Sequence, residues 1–165
     1  PRRGGNSDTL CDELMRGAME SGHQVTKVFL RDKEIHPCLG CSVCSQYGRP
    51  CPQKDDAEEV IRLMLEADVL VMGTPVYFYS MSAQMKMMLD RCCGPYKEMK
   101  NKEFYFIMTA GGSNTECALL GFRNFIRYLP GSKEKGVIEG TGIHLKGSVK
   151  GNPVMKKAYE MGKNV

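Results

Sequence analysis

The chain has no tryptophan and no apolar run approaching the roughly 20 residues a membrane-spanning helix needs. No basic segment followed by an apolar stretch and a small-residue cleavage site is visible, so nothing reads as a secretory signal. Strong charge bias is missing too. The net charge is +4 over 165 residues. Lysine and arginine are scattered, and the densest group (Lys146, Lys150, Lys156, Lys157, Lys163) is broken by Glu160. That pattern reads as a solvated helix face and excludes an obvious nucleic-acid footprint. The opening loop matches neither G-x-G-x-x-G nor G-x-x-x-x-G-K-[ST], which excludes a dinucleotide fingerprint and a nucleoside-triphosphate loop there. Internal repeats and a domain-splitting linker are absent, so residues 1–165 are expected to form one domain with a real core.

What is abundant is sulfur. Eight cysteines without a secretory signal read as thiols or metal ligands rather than a disulfide framework. A cytoplasmic location follows as an expectation. Twelve methionines read first as core filler.

One stretch organises the rest: Gly73-Thr74-Pro75-Val76-Tyr77-Phe78-Tyr79-Ser80-Met81-Ser82. Residues 67–72 before it form a short apolar run that predicts a buried strand ending at Met72. After it, Met81, Met85, Met88, Leu89 and Cys92 fall at helical spacing. The stretch is therefore expected to be a proline-containing turn at a strand's carboxyl edge, where open α/β sheets bind ligands. Its three aromatics suit a flat aromatic cofactor, or else simply fill the core.

Pro1-Arg2-Arg3-Gly4-Gly5-Asn6-Ser7-Asp8-Thr9 runs straight into a helix whose apolar face is Leu10, Leu14, Met15, Ala18 and Met19. Free helix N-terminal amides beside glycines and arginines make an anion site, suited to a single terminal phosphate. An ordinary capped helix is the plainer reading. Gln24 to Leu30 predicts a strand. The loop 36–55 carries Cys38, Cys41, Cys44 and Cys51, spaced C-x2-C-x2-C-x6-C with Pro52 following. That spacing suits a cubic iron–sulfur cluster; zinc fits less well, and a loop of plain thiols stays open. Asp55 and Asp56 read as a helix cap. The strand 103–109 leads into Ala110-Gly111-Gly112, where glycines allow close backbone approach to a ligand. Residues 136–140 predict a weaker strand, and Pro153 the first turn of the last helix. Cys11, Cys92, Cys93 and Cys117 fit no site motif and read as packing.

Alternating helices and strands predict an α/β fold with a doubly wound parallel sheet in three layers. The phosphate-type loop has no strand before it. Either the chain starts after that strand, or the sheet lacks its central member.

These motifs carry a resemblance. The chain resembles the flavodoxin-like NAD(P)H-dependent FMN reductases, in particular the iron–sulfur flavoprotein branch. Residues 1–9 look like the family's FMN phosphate loop, residues 73–86 like its isoalloxazine loop, and Cys38, Cys41, Cys44 and Cys51 like its compact cluster motif. Two departures stand out: the family's opening strand and the serine before the proline are absent, and the stretch after Thr109 is short and glycine-rich. The resemblance implies non-covalent FMN, its phosphate held by Arg3, Asn6, Ser7 and Thr9. The ring would lie against Pro75, Val76, Tyr77, Phe78, Tyr79 and Ser80, with Ala110, Gly111 and Gly112 as the other wall. It further implies NAD(P)H or ferredoxin as donor, a quinone, flavin or other small acceptor, and a [4Fe-4S] cluster on the four cysteines. An electron carrier between FMN and that cluster is the alternative function. No side chain has to act as an acid or base. A homodimer or homotetramer is implied as well, with Met81, Met85, Met87 and Met88 as a subunit contact or as core.

Overall fold

Along the strand Glu103–Thr109 of a computed structural model, residues 104–109 are all buried. A strand buried on both faces is the middle of a covered sheet. The structure describes residues 2–165; Pro1, at the head of the phosphate-type loop, lies outside the described residues. In chain order the elements are α1 (Asn6–Glu20), α2 (Val43–Tyr47), α3 (Ala57–Glu66), β1 (Val69–Tyr77), β2 (Ser80–Met81), α4 (Ala83–Arg91), β3 (Glu103–Thr109), α5 (Glu116–Arg127), β4 (Lys133–Gly140) and α6 (Pro153–Lys163). The sheet order is β2-β1-β3-β4. Strands β1, β3 and β4 are parallel, and β2 folds back antiparallel onto the end of β1.

Alternation along β3 sorts the core into two halves. Phe104, Phe106 and Met108 join Met64, Met85, Met88, Phe122 and Ile126 of α3, α4 and α5. Phe106 and Phe122 stack with ring centroids 4.8 Å apart. Tyr105 and Ile107 face the other way, onto Leu10 and Leu14 of α1 and Ala158 of α6. Three layers and a mostly parallel sheet are therefore as the sequence predicts. Helices α1 and α6 touch backbone to backbone. A Cβ on Gly162 would lie 2.0 Å from the Leu14 carbonyl oxygen, and one on Gly17 2.2 Å from the Tyr159 carbonyl oxygen.

Two expectations need correction. Residues 24–30 form no strand; Leu30–Asp32 is a single 3-10 turn. A strand needs a neighbour for its backbone groups, and this segment pairs with none of the described strands. Its side chains instead bind α1: Lys27 pairs with Asp8 and Asp12, while Phe29 lies under Arg3. Strand β1, in turn, does not stop at Met72. It continues in register with β3 through Gly73, Thr74 and Pro75 to Tyr77. Proline is tolerated there because, among the described residues, nothing pairs with the far side of β1 before Val76. No helix among the described residues is long and apolar enough to cross a membrane.

Candidate functional site

A single cleft joins three of the predicted segments. The N-terminus of α1 contributes Gly5, Asn6, Ser7 and Asp8; the end of β1 contributes Pro75, Val76 and Tyr77; Gly111 comes from the loop after β3. The cleft holds ≈ 490 Å³ of space, part of it open to solvent. The two crevices recognised separately in the sequence thus face one another.

Helix α1 starts where it does because Gly5, extended at φ −75° and ψ 168°, is its N-cap. The amides of Asn6, Ser7 and Asp8 then have no acceptor one turn earlier and point toward the cleft end of the helix. Asp8 reaches back to accept a 2.7 Å hydrogen bond from the Gly4 amide. Burial pushes its carboxyl up, but bonds from Lys27 and Gly4 outweigh that and hold it below the usual range. With Lys27 on it, Asp8 adds little negative charge to the anion end. Ser7 and Thr109 share a 2.7 Å hydrogen bond that ties the helix start to the end of β3.

Several predicted contacts are used otherwise. The Asn6 amide donates to the Leu145 carbonyl at 2.9 Å, and its oxygen accepts from the Val149 amide at 3.3 Å. Its side chain is spent holding the loop after β4, which leaves its backbone N–H for a ligand. Arg3 turns away, pairing with Asp32 and lying 4.8 Å above Phe29. Arg2 lines the cleft in its place, and Thr9 does not line it. Sequence reasoning placed both arginines by the anion site but gave the phosphate contact to Arg3, and it missed Thr109, Ile143 and His144. His144 was findable only through space: a Cβ on Gly111 would lie 2.6 Å from its Nδ1, so the missing side chain of one loop makes room for the ring of the other.

The aromatic segment is a two-residue hairpin. Val76 pairs with Met81 and Tyr77 with Ser80, so Phe78 and Tyr79 form the turn, at φ 45° and 64°. Bulky residues rarely adopt this left-handed region, and they do so at a cost. Phe78 is fully exposed and Tyr79 largely so; with Ser80 they stand at the lip, outside the cleft lining. The buried Thr74 hydroxyl accepts from the Ser82 amide at 3.0 Å and donates to the Pro75 carbonyl at 2.9 Å, clamping both ends of the hairpin. On the opposite wall buried Ala110 accepts from the Ile143 amide and exposed Gly112 from the Gly142 amide, both in the loop after β4, while Gly111 alone of the three lines the cleft.

The donor set fits FMN: helix amides for a phosphate, an aromatic strand end, and a second wall of Gly111 with the His144 ring beside it. The cysteine loop behaves differently. Cys38 and Cys41 are exposed, Cys44 and Cys51 half-buried, and all are free thiols. Among the described residues no three His, Cys, Asp or Glu side chains are placed to hold a metal ion. In this arrangement the four sulfurs do not fit a cluster.

The base of the loop is nonetheless firmly built. Arg91, at the end of α4, is buried against Asp55 with N–O 2.5 Å, and their side chains are 3% and 1% exposed. Arg91 also donates to the His36 carbonyl at 3.0 Å and to the Cys51 sulfur at 3.4 Å. Asp55 accepts from the His36 and Ala57 amides. It therefore does the capping of α3 expected of the aspartate pair. Burial pushes the Asp55 carboxyl up, but Arg91 and the two amides prevail and bring it down to about 2. Of the four cysteines read as packing, Cys92 is buried and its thiol is pushed by burial up to about 12; Cys11, half-buried under Gly73, has its thiol pushed up to about 12 by the same cause. Cys93 and Cys117 are exposed instead: Cys93 lies in the turn after α4, and Cys117 falls off the apolar face of α5.

Comparison with known proteins agrees with this architecture. Residues 1–131 match the family described as NADPH-dependent FMN reductase. An iron–sulfur flavoprotein of Archaeoglobus fulgidus is 32% identical over all of this chain and 74% of its own length. One from Methanocaldococcus jannaschii is 43% identical over 55% of this chain and 47% of its own. The chain spans about half the length of several of the curated relatives it matches. The solved NAD(P)H:quinone oxidoreductase from Methanothermobacter marburgensis superimposes with a TM-score of 0.70 at 15% identity, covering 99% of this chain and 90% of that one. That likeness shows the flavodoxin-like fold. By its matched residues and its full-length relative, the chain belongs to the NADPH-dependent FMN reductase family, whose iron–sulfur flavoproteins are among its curated relatives.

Proposed function

We propose that the chain binds FMN in the cleft between α1, β1 and β3 and acts as an oxidoreductase. Electrons pass from NAD(P)H or a ferredoxin to a quinone, a flavin or another small acceptor. One observation carries this: the free amides of α1 and the segment Pro75–Tyr77 line the same cleft. The helix terminus suits a phosphate dianion, with Arg2 beside it for charge. Ser7, held by Thr109, keeps the helix start at a fixed distance from the sheet. Pro75, Val76 and Tyr77 present backbone and one aromatic ring along the opposite side. On the second wall the His144 ring lies against Gly111. FMN, when bound, supplies the hydride and electron chemistry; the chain supplies position, charge and exclusion of water.

A carrier role between FMN and a [4Fe-4S] cluster on Cys38, Cys41, Cys44 and Cys51 is the second reading, supported by the names of the relatives. A homodimer or homotetramer, with the half-buried Met87 at the contact, completes the proposal.

The test is direct. Anaerobically purified protein should show flavin absorption bands or take up added FMN at one per chain, and should oxidise NADPH steadily with a quinone present. Protein that stays colourless and leaves FMN fluorescence unchanged overturns the assignment. Iron and sulfide analysis of the same sample separates the two readings.

A further inference from the structure

The lysines grouped near the end of the sequence do not stay together in the fold. Lys156, Lys157 and Lys163 ride on α6, while Lys146 stands in the turn after β4 and reaches the start of α1 instead. A Cβ on Gly4 would lie 3.5 Å from the Lys146 Cε and 3.9 Å from its Nζ, so the ammonium rests over the glycine pair that leads into α1. Hydrogen bonds on both sides of Lys146 fix that placement. The buried Asn6 side chain donates to the Leu145 carbonyl at 2.9 Å and accepts from the Val149 amide at 3.3 Å. The Ile143 amide donates to the Ala110 carbonyl at 3.0 Å, tying the same loop to the end of β3. Lys146 itself has no acidic partner among the described residues.

The charge at this end of α1 leaves a place for it. A helix N-terminus supplies about half a positive charge, and a phosphate monoester carries about −1.5 to −2 at neutral pH. Asp8, in the first turn, is offset by Lys27, and Arg3 is spent on Asp32. The helix end and Arg2 together offset at most about 1.5 charges, and a second free cation completes the match. We propose that Lys146 is that cation and the specificity-determining residue of the cleft. With Arg2 and the α1 amides it holds the phosphate of FMN, and it makes the chain select FMN over riboflavin, which has the same ring and no phosphate. This rests on FMN occupying the cleft. It also makes the loop after β4 a part of the phosphate site, delivered there by Asn6.

The experiment titrates the full chain, freed of flavin, with FMN and separately with riboflavin, following flavin fluorescence at low and high salt. The unmutated protein should bind FMN more tightly than riboflavin. Lys146→Gln should raise the Kd for FMN about three- to fivefold, leave that for riboflavin unchanged, and make FMN binding less sensitive to salt. Lys146→Arg should restore the preference, and Lys157→Gln, on α6, should leave both Kd values unchanged. Equal FMN binding by Lys146→Gln and the unmutated protein, or an equal loss for FMN and riboflavin, overturns this assignment and leaves the FMN reading standing. An unmutated protein that binds neither flavin overturns both.

Discussion

Ser7 Oγ and Thr109 Oγ1 stand 2.7 Å apart, one on the first turn of α1 and the other at the carboxyl end of β3. That bond joins an anion-binding helix terminus to the sheet edge on which the rest of the cleft is built. Thr109→Val keeps the shape and removes the hydroxyl. The lost hydrogen bond is worth about 0.5–1.5 kcal/mol, so the Kd for FMN should rise by at most about two- to twelvefold. Fluorescence quenching on titration measures it, and an unchanged Kd would separate this bond from cofactor binding.

Asp55 makes stability depend on acid. Its pKa in the folded protein, about 2, lies below the ordinary 3.8. Its contribution is therefore complete above the ordinary value and is lost as pH falls from there through about 2. Arg91→Ala leaves a buried carboxylate without its cation and should cost about 3–5 kcal/mol. Burial then acts on Asp55 with less opposition, so its carboxyl moves up toward the ordinary value and the loss of stability in acid should be smaller than in the unmutated protein. Urea unfolding across a pH series reads both effects.

The hairpin turn is strained by its residue types. Phe78 and Tyr79 hold positive φ, where non-glycine residues cost roughly 1–2 kcal/mol each. Asn-Gly is the sequence such two-residue turns prefer. Phe78→Asn with Tyr79→Gly should therefore stabilise the protein by about 1–2 kcal/mol, seen as a higher urea midpoint. Quinone reduction should fall, because two aromatic rings leave the lip of the cleft. Equal stability would mean that the backbone there is not strained.

Gly162→Ala should destabilise by at least about 1–3 kcal/mol, since the new methyl meets the Leu14 carbonyl oxygen at 2.0 Å and the helices have to separate. For a chain this size each kcal/mol lowers Tm by about 2–4 °C. Differential scanning calorimetry checks it.

Much of this was legible in the residue order, and for local reasons. The continuous apolar run in residues 104–108 marked a buried strand, and the helical spacing of Met85, Met88 and Leu89 marked the buried face of α4, because periodicity follows from backbone geometry alone. Glycine, proline and capping residues marked the ends of α5 and the start of α6 for the same reason. The sequence also singled out both halves of the cleft. Only tertiary structure decided where β1 ends, because that depends on seven cross-strand partners in β3. It decided that residues 24–30 are not a strand, since pairing is a property of two segments. Likewise it decided that Arg2 rather than Arg3 lines the cleft, that Asn6 is committed to a loop some 140 residues away, and that Gly94 lies against Cys44. Each of these is a contact between distant parts of the chain, and spacing along one strand of sequence carries no information about which distant atoms will meet.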